Sequence, residues 1–287
     1  MRRDLAPGPH GFTLVELIVT LVIFGVMSAT LVVFYQPVVA GFVATRNRAA
    51  LVEAADQSLR RMQRDVQAAV PNSVRTPGAN CFEVVPTSMG GRARVGNDIV
   101  NAGAAVLDTT ALTTSFDVLS PLPATPAVGD WVAMDNQNPN DIYSGANRST
   151  ISAVTAPTAT LGRHRIAVAS KQFPLGYDGG RFVVVPDSQK AVFYVCSGAD
   201  GTLDANGNGK GTLYRLANYG FNATPPATCP STAGAPVMAS NVRACAFLYD
   251  PNQGATQQYG FVSMTLQLSR DNETATLVVG AHVSNTP

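Results

Sequence analysis

Histidine is scarce in this chain of 287 residues: only His10, His164 and His282 occur. None stands at a recognisable spacing from a nucleophile, an orienting carboxylate or a second metal ligand. Histidine-based acyl transfer and histidine-ligated metals are therefore without support. Charge is scarce as well. Charged residues make up 14% of the chain and the formal net charge is +1, so no broad attraction to nucleic acid is implied. The interleaved aromatic and basic residues that a single-stranded nucleic-acid groove needs are also missing. No G-x-S-x-G, H-E-x-x-H, Walker loop or dinucleotide fingerprint occurs, and without a paired base and nucleophile no enzymatic activity and no cofactor are expected. No repeat of about 20–50 residues is present, which excludes solenoids and propellers. Cysteine is limited to Cys81, Cys196, Cys229 and Cys245, with no C-x-x-C pair to suggest a metal ribbon.

What the chain does have is one long apolar run near its start. FTLVELIVTLVIFGVMSATLVVFYQP begins at Phe12, and no charged residue occurs from Leu17 to Phe34. A helix over Phe12–Phe34 would be about 34 Å long, enough to span a hydrocarbon core of about 30 Å. Arg2 and Arg3 lie on the N-terminal flank, which keeps that end cytoplasmic and exports the bulk of the chain. Two ordinary readings compete. A secretory signal peptide could be cut after the small-residue sites Val38-Val39-Ala40 or Phe42-Val43-Ala44, but the run exceeds the roughly 7–15 residues of such a signal. A plain uncleaved anchor is the other. Neither explains Glu16. A carboxylate near a bilayer centre costs roughly 2.5–3.5 kcal/mol, less near an interface, and is a functional residue by default.

The string Gly11-Phe12-Thr13-Leu14-Val15-Glu16 resembles the cleavage motif of type IV pilins and type II secretion pseudopilins. The resemblance implies that a prepilin peptidase cuts after Gly11, that Phe12 becomes an N-methylated terminus, and that Glu16 is the assembly carboxylate. His10 then belongs to the removed leader. The physical logic follows. Cleavage creates an ammonium on Phe12 that can face Glu16 of an adjacent subunit, and two desolvated opposite charges satisfy each other. That pair would set register, while the apolar faces around it supply most of the contact. Pro37 and Gly41 predict a kink or melted turn after the run, or simply its end.

From Ala44 the helical period resumes. Leu51, Ala55, Leu59, Met62, Val66 and Ala69 form one apolar stripe, with Arg46, Arg48, Glu53, Asp56, Arg60, Arg61 and Arg64 on the other face. The stripe is expected to dock on a sheet and the basic face to be solvated rather than to bind lipid or DNA. Pro71-Asn72 ends the helix.

After Thr76-Pro77-Gly78 the pattern turns to short β-like runs. Strands are expected at 81–86, 128–134, 181–185, 191–196, 211–216, 243–249, 261–268 and 274–283. The runs 181–185 and 191–196 flank Pro-Asp-Ser-Gln-Lys and read as a hairpin. Residues 101–162, rich in Ala, Thr and Pro, read as a lobe or long insertion. His164, between Arg163 and Arg165, reads as a solvated turn or strand edge, and His282 as a surface group. Four cysteines in an exported head imply up to two disulfides with three possible connectivities; buried free thiols are the alternative. Cys229 and Cys245 are nearest in sequence, and a bridge there would contribute on the order of 3 kcal/mol. Cys196 could equally reach either downstream neighbour. One metal-like string occurs: Asp204, Asn206 and Asn208 carry side-chain oxygens at alternate positions, as at the start of a calcium loop. The twelfth position is Arg215 where a bidentate Glu is needed, and Asp200 would substitute only in a different loop. A Gly/Asn-rich turn is favoured.

Scattered strings in this half, among them CFEVVPTSMGGRAR, GGRFVVV, VFYVC, GTLYRLANYG, ACAFLYD and HVSNTP, resemble the MshO family of MSHA pilus biogenesis proteins, itself similar to J-type pseudopilins of type II secretion. The expected fold is α+β and pilin-like: a long N-terminal helix, transmembrane in its first half, packed on an antiparallel β-sheet head. The expected organisation is a leader (1–11), a membrane and assembly helix (12–36), its amphipathic continuation (37–71) and a periplasmic β-rich head (76–287). The resemblance implies a minor pilin of the inner membrane and then the pilus, whose partners are other major and minor pilins, the prepilin peptidase and the assembly platform. A tip adhesin is the main rival.

Overall fold

The structure, a computed structural model, describes residues 11–176, 179–253 and 259–284. The leader ahead of Gly11, including Arg2, Arg3 and His10, lies outside the described residues, as do the last three of the HVSNTP string. The chain divides into two compact units, with the boundary between Ala49 and Ala50.

In the first unit helix α1 (Leu14–Gln67) begins, and its large apolar side chains from Leu14 to Val43 are all exposed. A helix that is apolar all round and buries none of that surface is suited to lipid or to other helices rather than to water. The melted turn or helix end expected at Pro37 is absent, since α1 runs through it. One proline removes a single backbone hydrogen bond, and the strongly apolar, helix-compatible residues on both sides keep the rest of the ladder intact.

In the second unit the remainder of α1 buries Leu51, Ala55, Leu59, Met62 and Val66, the expected stripe. The helix stops at Gln67, ahead of Pro71, because Ala69 is drawn into a bridge with Pro86. The strands follow in two groups. The first to appear are β1 (Arg75–Gly78) and β2 (Cys81–Val84). Then come β3 (Met89–Arg92), β4 (Thr113–Val118), β5 (Trp131–Met134), the one-turn helix α2 (Asp141–Ser144), β6 (Arg148–Thr155), β7 (His164–Lys171) and β8 (Arg181–Val185). The chain ends with β9 (Val192–Ser197), β10 (Gly211–Leu216), β11 (Val237–Gln253), β12 (Tyr259–Arg270) and β13 (Glu273–Ser284).

These strands form two antiparallel sheets. The larger has the order β1-β2-β9-β10-β11-β12-β13 and receives α1 on one face. Its strands alternate as a half-buried sheet demands: in β12, Val262, Met264, Leu266 and Leu268 point into the core. Phe82 stacks on Tyr194 at 4.9 Å and meets Phe247 edge-on at 5.1 Å beneath the helix. The β12–β13 hairpin turns at Asp271 and Asn272, both at positive φ, which short polar side chains tolerate best.

The second sheet has the order β3-β8-β5-β6-β7-β4. It closes on itself, because Ala93 bridges Val118, Arg92 O accepts from Leu119 N and Asp117 O accepts from Arg94 N, both at 2.8 Å. The result is a six-stranded barrel filled by side chains such as Phe116, Phe182, Val132 and Ile166, the width at which side chains still fill the interior. The barrel accounts for the insertion expected at 101–162 but begins earlier, at Met89, and ends later, at Val185. This corrects the expected hairpin of 181–185 with 191–196. β8 pairs with β3 and β5 in the barrel, whereas β9 pairs with β2 and β10 in the main sheet. The chain changes sheets through a short 3-10 turn, Asp187–Gln189, and a left-handed Ala191.

Candidate functional site

Gly11, Phe12 and Thr13 precede α1 and are exposed, so the Gly11–Phe12 bond lies in accessible, non-helical chain. Thr13 then starts the helix. Its hydroxyl oxygen accepts the Glu16 N–H at 3.3 Å, and its carbonyl accepts the Leu17 N–H at 3.1 Å. Thr13-Leu-Val-Glu16 thus has the spacing of a capping box. Glu16 falls in the first helical turn, where a carboxylate is favoured by the helix dipole. Sequence reading assigned Glu16 only to assembly; the T-x-x-E signal for this local role was also there to be read. Glu16 is the only charged residue from Phe12 to Thr45.

A second constellation lies where α1 meets the sheet, and sequence reading missed it. Asp65, nearly buried, accepts the Tyr194 hydroxyl at 2.6 Å and Arg215 Nη2 at 2.7 Å on its Oδ2. Arg215 also donates to Tyr194 Oη at 3.0 Å and to Gln189 Oε1 at 2.6 Å. Burial, and then the Asp65 charge, push the Tyr194 phenol up, so it stays a donor. The signal was an acid placed beside the apolar stripe, one residue before Val66. The same network explains Arg215 at the position where a calcium loop would need Glu.

The metal-like string resolves into a self-capped turn. Asp204 Oδ1 accepts the N–H groups of Asn206 and Asn208 at 2.9 and 2.8 Å, and Asn208 Nδ2 donates to Asp204 Oδ2 at 3.2 Å. These bonds, the one from Asn208 N first, hold the Asp204 carboxyl below its usual range. Asn208 Oδ1 accepts Asp271 N from the β12–β13 turn, and Asp200 Oδ1 is taken by Thr202. Among the described residues no cluster of three or more His, Cys, Asp or Glu is arranged for a metal.

The four cysteines form Cys81–Cys229 and Cys196–Cys245. The guessed Cys229–Cys245 bridge is thereby corrected. Sequence proximity misled, because Cys229 lies on the long β10–β11 loop that folds back over the outer face of β2 and β9, against Phe193 and Val195. His164 opens β7, and His282 is exposed on β13 edge-on to Phe261.

Beside the first disulfide is a buried charge cluster. Glu83 on β2 is fully buried, and Arg75 Nη1 on β1 is 3.5 Å from its Oε2. The Arg75 guanidinium lies 3.3 Å from the Tyr143 ring centre and donates to Asn140 Oδ1 at 2.6 Å and Asn222 O at 2.9 Å. Tyr143 donates to Ser73 O at 2.6 Å rather than to Glu83. Both Glu83 oxygens lack a hydrogen-bond partner among the described residues. Burial accordingly pushes the Glu83 carboxyl up to about 7, against the pull of Arg75.

A helix whose first part is apolar and exposed apart from Glu16 and a few uncharged polar residues, and whose second part lies on an antiparallel sheet, is an α+β, pilin-like architecture. Residues 8–32 match the family described as Prokaryotic N-terminal methylation motif. That match supports a type IV pilin-like protein of the kind that prepilin peptidase processes. No curated protein and no solved structure matches the chain.

Proposed function

We propose that this chain is a minor pilin or pseudopilin that joins a small priming complex in the inner membrane and starts or caps a filament of the MSHA type. In this reading residues 1–11 are the leader, 12–36 the membrane and assembly segment, 37–71 its amphipathic continuation and 76–287 a periplasmic head. Prepilin peptidase cuts between Gly11 and Phe12 and methylates Phe12. The role is structural rather than catalytic. Partners are other major and minor pilins and the assembly platform.

The observation that carries the reading is Glu16, the sole charge from Phe12 to Thr45 in an exposed apolar stretch, inside the matched motif and fifth in line when Phe12 is counted as the first residue. An unpaired carboxylate in lipid is costly, and a new ammonium on a neighbour's Phe12 is a partner that only cleavage creates. The scattered strings shared with the MshO family favour the MSHA branch. A J-type subunit of a type II secretion system is the nearest alternative, since its family resemblance uses the same motif.

The test is mass spectrometry of the N-terminus of the mature, membrane-extracted protein. A methylated Phe12 is expected. A chain that still carries its first eleven residues, or one cut near Ala40, would overturn the reading.

A further inference from the structure

We propose that the outer edge of β13 is a docking site for an extended, uncharged segment of another protein chain, which adds to the large sheet as one further strand and carries aliphatic residues at alternate positions. The edge is independent of the filament reading above; the choice of a different chain over a second copy rests on that reading.

β13 is the last strand on one side of the seven-stranded sheet, and among the described residues no strand pairs on its far side. The turn before it sets which groups face outward. Asp271 and Asn272, both at positive φ, make the two-residue connection of a type I′ hairpin, so Arg270 and Glu273 form its closing hydrogen-bonded pair. From there β12 and β13 stay opposite each other to Tyr259 and Ser284 without a bulge. Antiparallel pairs alternate between bonded and non-bonded, which makes Thr274, Thr276, Val278, Gly280 and His282 the non-bonded members. Their N–H and C=O groups point away from β12, toward the open side.

Soluble proteins defend such edges with charge, proline, bulges or brevity. The opposite edge of this sheet is defended: β1 has four residues and contains Pro77, and Gly78 lies against Cys229 of the disulfide-tethered loop. β13 has none of these devices. It is twelve residues long, and no proline and no Asp, Glu, Lys or Arg occurs from Thr274 to Ser284. Its one glycine is reinforced, because the Phe261 ring lies where a Cβ on Gly280 would sit. The apolar cover is also unfinished. On the helix side Ala275, Ala281 and Val283 are buried, but Leu277 and Val279 between them are only half-buried; on the other face Val278 is 63% exposed.

The outward groups select the occupant. Donors and acceptors recur at every second residue of an extended line, about 6.8 Å apart. A second polypeptide strand matches that repeat, whereas a sugar, a lipid headgroup or a nucleic acid does not. The edge offers no charge from Thr274 to Ser284, so a charged strand would be desolvated there without a partner. Aliphatic residues on the inner face of the added strand complete the cover of Leu277 and Val279. A second copy is disfavoured by symmetry. Two β13 strands paired antiparallel are related by a two-fold axis normal to the sheet, and that axis reverses the part of α1 docked on it. Two chains anchored in one bilayer, each entering its second unit at Ala50, do not meet in that way.

The test places the photo-crosslinking residue p-benzoylphenylalanine in the full chain, in the cells that produce it. One position is Val278 on the edge; the other is Leu248, exposed on the same sheet face but two strands inward. Position 278 is expected to give a product with another polypeptide, mapped by mass spectrometry to an uncharged stretch with alternate aliphatic residues, and position 248 to give none of it. Thr276→Pro should reduce the product about tenfold or more, since the ring replaces an outward N–H and breaks no bond to β12. Thr276→Lys should do the same by placing a charge on the edge. Both variants should still form the two disulfides; if Thr276→Pro does not, Thr276→Lys decides. A product unchanged by these variants, equal products from positions 278 and 248, a product only with a second copy of this chain, or no product beyond lipid would each overturn the proposal. Methylation of Phe12 is read on the same cells. A methylated Phe12 without the product defeats the edge alone, and the product on an unprocessed chain defeats the filament reading alone.

Discussion

At the scale of single residues, Glu16 carries two roles that one substitution can separate. As the N3 residue its backbone N–H is capped by the Thr13 hydroxyl and its carboxylate faces the helix dipole favourably, and as the charge in an apolar stretch it is the proposed partner of a neighbour's ammonium. Glu16→Gln keeps the backbone bond to Thr13 and a side chain suited to that position, and removes the charge. Leader removal is expected to stay intact while incorporation into filaments falls by roughly a hundredfold or more, because a desolvated ion left alone costs about 3–5 kcal/mol. Thr13→Ala should do the reverse, costing about 1 kcal/mol of helix stability with incorporation largely retained. Immunoblots of sheared pili beside whole-cell processing assays distinguish the two; equal incorporation of Glu16→Gln and parent would remove the ion-pair account. Glu83 gives the second residue-scale prediction. Its carboxyl is raised in the fold to about 7 from 4.5, so between those values the folded chain binds more protons than the unfolded chain. Stability should therefore fall as pH rises from about 4.5 to about 7, by at most about 1.4 kcal/mol per unit. Urea titrations of Glu83→Gln across the same range should lack that added slope. A wild type whose slope matches the variant's would show that Glu83 is ionised throughout, held by Arg75. Glu16 was legible in the sequence because a charge inside an apolar run is conspicuous. Glu83 was not, since a lone acid in a short strand is ordinary until the fold covers it.

At the scale of elements, the second part of α1 is held to the sheet by its apolar stripe and by one polar latch. Asp65 is the point where helix, β9 and β10 meet, through Tyr194 and Arg215. Asp65→Ala would leave the Arg215 guanidinium and the Tyr194 hydroxyl without their shared acceptor in a site only 12% open at Arg215. The expected loss is about 3–5 kcal/mol of stability, measured by chemical denaturation. Asp65→Asn, which keeps an acceptor oxygen, should lose less. A loss below about 1 kcal/mol, the value of an exposed pair, would show that the stripe alone holds the helix. The stripe itself was readable, as were β8, β10, β12 and β13, because their periods of 3.6 and 2 reflect one-sided burial. Four barrel strands, β3, β4, β6 and β7, were not. Met89–Arg92 contains two glycines, and Ala, Thr and Pro dominate the surrounding segment, so apolar alternation is weak. Burial in the barrel rests instead on a few large residues such as Phe116 and Ile166. The β8–β9 error has the same origin: two good strands either side of a turn look like a hairpin, and local pattern does not reveal that their partners lie in different sheets.

At the scale of the whole molecule, the second unit reads as a pilin-like sheet interrupted once. β2 and β9 are paired neighbours, with Val84 directly opposite Val192, and the entire barrel lies between them in sequence. An insertion that leaves and returns at adjacent positions closes a short gap in the parent fold, so its removal incurs little loop entropy. Replacing residues 86–190 by a two-residue Asn-Gly turn should therefore join β2 to β9 as a hairpin. The shortened chain should still fold, form Cys81–Cys229 and Cys196–Cys245, and lose its leader. It should be less stable, with on the order of 2 kcal/mol lost from the Arg75–Tyr143 contact alone, since α2 leaves with the barrel. Removing that cover also opens Glu83 to water, so the acid-side stabilisation described for the full chain should disappear along with it. Disulfide mapping, circular dichroism and the pH dependence of unfolding check these together. Should the shortened chain form neither bridge, the barrel is part of the folding core and not an addition to it. Should it fold but keep the full pH slope, the carboxyl that titrates is not Glu83.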